Sequence, residues 1–404
     1  MKILFVSQYF YPETFRGNEL VFDLVLKGHD VTVLTGKPNY PIGKFYDGYK
    51  FWGVQKENIN GAKVIRIPTY PRGDGRAMNL VLNYVSFFLF SYPYCTFKLV
   101  EKFEVIFVQQ LSPITMSLPA IWARKKNKDA KLYIWVLDLW PESLTAILRI
   151  RNKIVIRALD KLVRYIYSKA DYILISSKSF EKYINQRAPQ KTVLYFPNWA
   201  ESVYEELSTK EFDIPKIPDG FNIMFAGNIG EAQDFETILN AAELTQNEKI
   251  NWIIIGEGRK LDWVRKQVDS RVLKNVYIYG RYPIETMPSF FKQADVMLLT
   301  LNNSAVFNLT VPAKLQVYLS SGKIILGAIN GEANSIINEN KIGISTEAGN
   351  YKALAENALV LKSLTKEHKI EMEKKSRDLY YSSFSKRLLL DNLEKTFKQN
   401  SNLG

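Results

Sequence analysis

The amino-acid sequence predicts two doubly wound α/β domains facing a central cleft. Short β-branched or aromatic runs alternate with helical periods along almost the whole chain, the pattern of parallel sheets covered by helices. The 404 residues suffice for two or three domains. A composition of 47% apolar and 13% aromatic residues fills packed cores and excludes disorder as the main state.

In the first half, strands are expected at 3–7, 30–35, 63–67, 104–109, 131–137, 171–176 and 192–196, each followed by turn chemistry or a helical period. The opening run Ile3-Leu4-Phe5-Val6 reads as a strand, since four apolar residues are too few for a secretory leader. An acidic connection from Glu201 to Gly220, bearing Pro215 and Pro218, closes an N-terminal domain over 1–200. A second domain over 201–376 has strands expected at 221–226, 250–255, 276–279, 295–300, 323–328 and 343–345. The remainder, 377–404, shows only a helical period in Leu388, Leu389, Leu390, Leu393 and Phe397, suited to packing back on the N-terminal domain.

The net charge of +13 is uneven. Residues 1–200 hold 29 Lys and Arg against 15 Asp and Glu, a balance of +14, while residues 201–404 hold 25 against 26. Nucleic acid and anionic membrane are the partners such a half suggests. Its basic residues gather as Arg124, Lys125, Lys126, Lys128 and Lys131, and as Arg157, Lys161 and Arg164 on one helix face beside Arg149, Arg151 and Lys153. The first cluster has no interleaved aromatics, which argues against nucleic acid. The 21 uncharged residues at 77–97 approach the length of a membrane span, yet Asn79, Asn83, Ser86, Ser91 and Pro93 interrupt them. A buried helix, a membrane-surface helix and a spanning helix are the three readings. One cysteine, Cys95, and two histidines, His29 and His368, exclude a disulfide scaffold and leave little for a metal centre.

Ligands of doubly wound folds bind beyond the carboxyl ends of the strands, so residues just after strands are the site candidates. In the second domain these are Gly227, Asn228, Ile229 and Gly230, a glycine turn before a helix that suits a phosphate. Arg259, or Lys260 beside it, and Arg281 follow the next two strands as cations for a diphosphate. In the stretch from Asn308 to Gln316, Thr310 is expected to cap a helix led by Pro312, aiming the amides of Ala313, Lys314 and Leu315 at the cleft. In the first domain Gly17 and Asn18 open the first helix. Trp135 and Trp140 flank Asp138, with Glu142 four residues on, a combination suited to a sugar surface. Each has a plainer reading as an ordinary turn or a helix-start charge.

Taken with Gly28-His29-Asp30-Val31-Thr32-Val33-Leu34-Thr35 and the string Asp138-Leu139-Trp140-Pro141-Glu142-Ser143, these residues make the chain resemble bacterial glycosyltransferases of the GT-B fold, built from two Rossmann-like domains. It is similar to the family 4 enzymes of O-antigen and capsule synthesis. The resemblance implies a nucleotide-sugar donor, UDP-linked at the family level, on the second domain. It implies an undecaprenyl-diphosphate-linked acceptor on the first, retention of configuration, no obligatory metal or cofactor, and a peripheral place on the inner face of the cytoplasmic membrane. The family's two glutamates, separated by seven residues, correspond to Asn308 and Gln316 here. Its basic pair after the phosphate-loop strand is replaced by Asn228 and Gln233, and Asp138 stands near the place of its usual histidine. Lys314, Asp138 and Asn308 are the expected catalytic groups, with Gln316 at the ribose and Trp140 and Glu142 at the acceptor. A noncatalytic sugar-nucleotide-binding subunit and a nucleotide-sugar epimerase are the competing readings.

Overall fold

The computed structural model describes residues 1–148, 152–205 and 212–400. Two compact units emerge, Met1–Phe196 with Leu390–Gly404, and Pro197–Leu389.

The first unit is built on an eight-stranded sheet of β1 (Lys2–Val6), β2 (Asp30–Gly36), β3 (Gln55–Ile59), β4 (Ala62–Ile67), β5 (Val105–Gln110), β6 (Lys131–Val136), β7 (Tyr172–Ile175) and β8 (Thr192–Tyr195). The spatial order is β3-β4-β2-β1-β5-β6-β7-β8. All neighbours are parallel except β3 and β4. The central strand β5, Val-Ile-Phe-Val-Gln-Gln, is buried along its whole length, as a parallel strand covered on both faces must be. The antiparallel edge strand β3 has no counterpart among the expected strands, because Gln-Lys-Glu-Asn-Ile lacks an apolar run. Its signal was the turn instead. Asn60 and Gly61 both take positive φ, 49° and 85°, the conformations of a two-residue hairpin.

The second unit holds a six-stranded, all-parallel sheet of β9 (Phe221–Ala226), β10 (Ile250–Ile255), β11 (Val276–Gly280), β12 (Val296–Thr300), β13 (Ile324–Ala328) and β14 (Gly343–Thr346), in the order β11-β10-β9-β12-β13-β14. Apolar clusters cover both faces, one around Met224, Ile253, Met297 and Leu315, the other around Phe225, Trp252, Leu298 and Leu354. Residues 77–97 form the Ala77–Pro93 helix and a π-helical turn, Tyr94–Lys98. The helix Ala77–Lys98 is long and apolar enough to cross a membrane by length and composition. It nevertheless packs on the first unit with its polar residues inward. Asn83, Ser86, Phe87 and Ser91 are buried, whereas Met78, Val81, Leu82 and Leu89 are exposed. Asn83 explains the inversion: it accepts from Gln8 Nε2 at 2.7 Å and donates to the Tyr70 carbonyl, pinning the loops after β1 and β4.

The unit boundary falls at Phe196 rather than after residue 200, because Ala200 belongs to the second unit's core and its amide donates to Tyr380 Oη at 3.2 Å. Residues 377–389 likewise stay with the second unit, held by buried Tyr380 and Phe384. Only the end of the Lys386–Asn400 helix joins the first. There Phe397 is buried against Phe107 and Tyr133, and Lys27 bridges Asp391 at 2.6 Å and Glu394 at 3.3 Å.

Glu13 organises the loop after β1. Its carboxylate accepts backbone N–H groups from Phe10 (3.2 Å), Asn39 (2.8 Å) and Tyr40 (2.7 Å), while burial pushes its pKa up to about 7. Truncating it orphans two buried donors and a partly buried third, so Glu13→Ala should cost about 3 kcal/mol in chemical denaturation, and Glu13→Gln clearly less. Between the usual value of 4.5 and about 7 the folded chain holds a proton that the unfolded chain has lost. This contribution therefore falls as pH rises through that window, by up to about 1.4 kcal/mol per pH unit, and the Gln variant should lack the slope.

Candidate active site

The second sheet changes winding direction between β9 and β12, which makes the carboxyl ends of those strands its natural binding edge. β9 runs into Gly227, whose φ of 132° only glycine adopts readily. Packing imposes the same choice. A Cβ at 227 would stand 2.7 Å from Cε of Lys314, and a Cβ at Gly256 would stand 1.8 Å from the Gly227 carbonyl oxygen. Lys314 therefore lies directly against the glycine loop.

The Ala313–Ser320 helix delivers Lys314 to this place. Pro312 is the residue before its first turn, and no side chain caps it. Thr310, the expected cap, donates instead to the Val306 carbonyl at 3.0 Å. The Leu315 amide turns back to the Pro312 carbonyl at 2.9 Å, which leaves Ala313 and Lys314 as the first-turn amides that face outward without an intrahelical acceptor. The Lys314 ammonium itself is buried, has no hydrogen-bond partner among the described residues, and sits 3.6 Å from the centroid of the Phe225 ring. Burial lowers its pKa to about 7. A ring face offsets only part of the desolvation of a cation, so an arriving anion gains strongly here.

The other expected donor residues are distributed less favourably. Ile229 is spent on structure: its amide donates to the Glu257 carbonyl at 2.7 Å and its carbonyl accepts from Lys260 at 3.0 Å. The Gly230 amide, expected to face a phosphate, donates to Gln233 Oε1 at 3.1 Å, with Asn228 Nδ2 3.4 Å from the same oxygen. Gln233 must swing aside before that amide can meet an anion. Arg259 is exposed and has no ion pair among the described residues, whereas Arg281 pairs with Glu257 at 2.6 Å and Lys260 with Glu231 at 2.9 Å. Gln316 is fully buried with its side-chain amide against the Pro312 and Ala313 carbonyls, at 3.0 and 3.2 Å once its NH2 is assigned to the side that can donate to them, so it is turned into its own helix. Asn308 Nδ2 donates to Asn303 Oδ1 at 3.2 Å, an oxygen shared with Asn330 at 3.1 Å, beside β12 and β13.

In the first unit the winding reverses between β1 and β5. Asp138, just after β6, has its carboxyl buried and its pKa raised by that burial, opposed by hydrogen bonds from the hydroxyl and amide of Ser112. Ser112 follows β5 and also accepts from Trp140 Nε1 at 2.9 Å, while Gln110 Nε2 donates to the Asp138 carbonyl at 2.9 Å. Sequence reasoning missed Ser112 because it ranked charges and glycines. A serine-proline pair directly after a strand was the available signal.

Four expected acceptor residues have structural duties instead. Gly17 is required because a Cβ there would stand 2.1 Å from Gln109 Oε1. Asn18 accepts from the Tyr11 amide at 3.1 Å and donates to the Glu13 carbonyl at 2.6 Å. Trp140 is buried at 4% exposure and Trp135 entirely, its indole donating to the Phe196 carbonyl, so neither presents a face to a sugar. Glu142 pairs with Arg187 at 2.7 Å, whose Nε holds Asp160 at 2.7 Å. That triad, with Arg157, Lys161 and Arg164, lines a pocket of about 560 Å³. Arg124 is bound to Asp171 at 2.8 Å, and Arg149 and Arg151 lie outside the described residues. Among the described residues no three His, Cys, Asp or Glu side chains converge as a metal site.

Comparison with known proteins finds similarity to glycosyltransferases. Residues 208–378 match the family Glycosyl transferases group 1. The chain is 30% identical over 233 residues to the probable glycosyltransferase WbjE of Pseudomonas aeruginosa, covering 55% of this chain and 58% of that protein. It is 25% identical over 338 residues to the putative colanic acid biosynthesis glycosyl transferase WcaI of Escherichia coli K12, covering 80% and 82%. Among solved structures, "Trehalose-6-phosphate from E. coli bound with UDP-2-fluoro glucose" superposes with a TM-score of 0.72 over 99% of each chain at 10% identity, a likeness of fold alone.

Proposed function

The chain carries a Glycosyl transferases group 1 domain on the GT-B framework, and on that premise we propose that it is a retaining glycosyltransferase of bacterial surface-polysaccharide synthesis. The donor is a UDP-linked sugar and the acceptor an undecaprenyl-diphosphate-linked oligosaccharide. One observation carries the reading: an unpartnered, buried ammonium at Lys314 pressed against a glycine turn and an uncapped helix start. As the sugar–phosphate bond breaks, negative charge grows on the departing diphosphate, and Lys314, the Ala313 and Lys314 amides and the exposed cation of Arg259 answer it. The acceptor hydroxyl attacks on the face the diphosphate leaves, and its proton passes to a leaving phosphate oxygen. Asp138 orients that hydroxyl through its buried carboxylate. The protein's own cations supply the charge, so no metal is required in this scheme.

Release of UDP from a UDP-sugar panel, measured with and without lipid-linked oligosaccharide, tests the proposal. Acceptor-dependent release is expected. A noncatalytic sugar-nucleotide-binding subunit, favoured by the inward-turned Gln316 and the amide at Asn308, would bind UDP and release none; an epimerase would convert donor without acceptor.

The exposed Met78, Val81, Leu82 and Leu89, continued by Phe97 and by Trp52, which packs on Phe90, support peripheral attachment to the membrane carrying the acceptor. Lys125, Lys128, Arg157 and Lys161, which have no ion pair among the described residues, add attraction of about 1 kcal/mol each to anionic lipid. Co-sedimentation with anionic vesicles at low salt should exceed that with neutral ones, and the double variant Leu82→Glu/Leu89→Glu should retain roughly tenfold less. Equal recovery from both vesicle types would remove the electrostatic contribution.

A further inference from the structure

Three post-strand loops of the first unit meet around one guanidinium. Arg72, after β4, donates its amide to Asn39 Oδ1 at 3.0 Å in the loop after β2. Its Nη1 donates to Tyr9 Oη, after β1, at 2.6 Å. Its charge lies 5.3 Å from the ring centroid of Tyr40 and 5.8 Å from those of Tyr9 and Tyr84, and Phe15 stacks on Tyr9 at 5.1 Å. The cage is therefore aromatic on three sides. It contains no countercharge. Burial raises the Tyr9 phenol well above its ordinary value, so it stays neutral, and Glu13, the nearby acid, spends its oxygens on three backbone amides.

Among the described residues Arg72 has no carboxylate within ion-pairing distance. Arg16, Arg66, Arg76, Arg124, Arg164 and Arg187 of the same unit each have one. Arg157 shares the lack of a partner but is surface-mounted on a helix. Arg72 is instead half-buried at the sheet's binding edge, linked to Asp138 through Tyr9, whose hydroxyl lies 3.5 Å from the Ser112 carbonyl, and through Ser112 itself. One edge thus carries a buried carboxylate and, across two intervening residues, an unneutralised guanidinium.

We propose that Arg72 is a specificity-determining residue that binds an oxyanion of the acceptor, a phosphate or a sugar carboxylate, while Asp138 takes its reacting hydroxyl. The planar fork of Arg72 has five N–H donors; with some turned to the Tyr9 and Tyr84 hydroxyls, it retains donors for such a group. The inference rests on the reading of this unit as the acceptor-binding one. Neutral acceptors gain nothing from the cage, so the residue discriminates by charge as well as by shape.

Calorimetric titration tests it with two probes: geranyl diphosphate for a lipid-carrier phosphate and methyl glucuronide for a sugar carboxylate, each against its neutral counterpart, geraniol or methyl glucoside. One anionic probe should bind wild type, and Arg72→Met should weaken it about tenfold or more. Arg72→Lys should recover part of the affinity, and it serves as the comparison if the Met variant fails to fold. UDP binding, measured on the same samples, should be unchanged by either substitution. Anionic probes that bind wild type and Arg72→Met alike, or bind neither while UDP binds, overturn the inference. Failure of UDP to bind wild type would count instead against the glycosyltransferase reading.

Discussion

Lys314→Met should lower sugar transfer about 100- to 1,000-fold and yet melt at a higher temperature than the wild-type protein. Both effects have one origin. The ammonium is buried against Phe225 with no acceptor among the described residues, so the fold carries an uncompensated desolvation cost. Methionine has a similar length and no charge, fills the same space beside Gly227, and removes that cost. The sign can be checked by pH. Between about 7 and the ordinary 10.5 the unfolded chain holds a proton that the folded chain lacks, so wild-type stability rises with pH across that window. The variant should lack the rise, and its advantage should be greatest at or below pH 7. Thermal melts from pH 6 to 10 with parallel turnover assays measure both. A variant that is less stable and equally active would contradict the placement of the donor diphosphate here.

Asp138→Asn should lower transfer about 100-fold with donor affinity unchanged. Asparagine preserves the shape and can still accept from Ser112, which holds Asp138 through its hydroxyl and amide. It loses the charge that aligns a hydroxyl and favours its attack. Because Asp138 and Lys314 belong to separate units, a fall in turnover without a change in UDP affinity isolates the acceptor side. Unchanged turnover from a folded variant would dismiss Asp138 from the reaction.

The fold was legible because its strands are buried on both faces and therefore read as continuous apolar runs, as β5 and β10 do. β3 escaped that test because an edge strand answers to turn geometry at Asn60-Gly61 rather than to burial. Lys314 was legible from its place after a proline at a helix start, whereas its isolation from every acceptor was not, since that depends on Phe225 and Gly227 approaching from another strand. The tryptophans misled for a related reason. Trp135 and Trp140 are adjacent to Asp138 in sequence, but alternation along β6 and the hydrogen bond to Ser112 send both rings into the interior. Glu142 was ambiguous between ligand and structure until Arg187, 45 residues away, appeared beside it. Arg72 carried no local signal, because its cage comes from four separate segments.

The placement of a nucleoside diphosphate on Lys314 is tested most directly by calorimetric titration of the wild-type protein with UDP at pH 8, in two buffers of different ionisation heat. A lysine with a pKa of about 7 is mostly neutral at that pH and recovers its proton on meeting a diphosphate. Uptake close to one proton per UDP is predicted, with none, and weaker binding, in Lys314→Met. UDP binding that takes up no proton and is equally tight in the variant would contradict it.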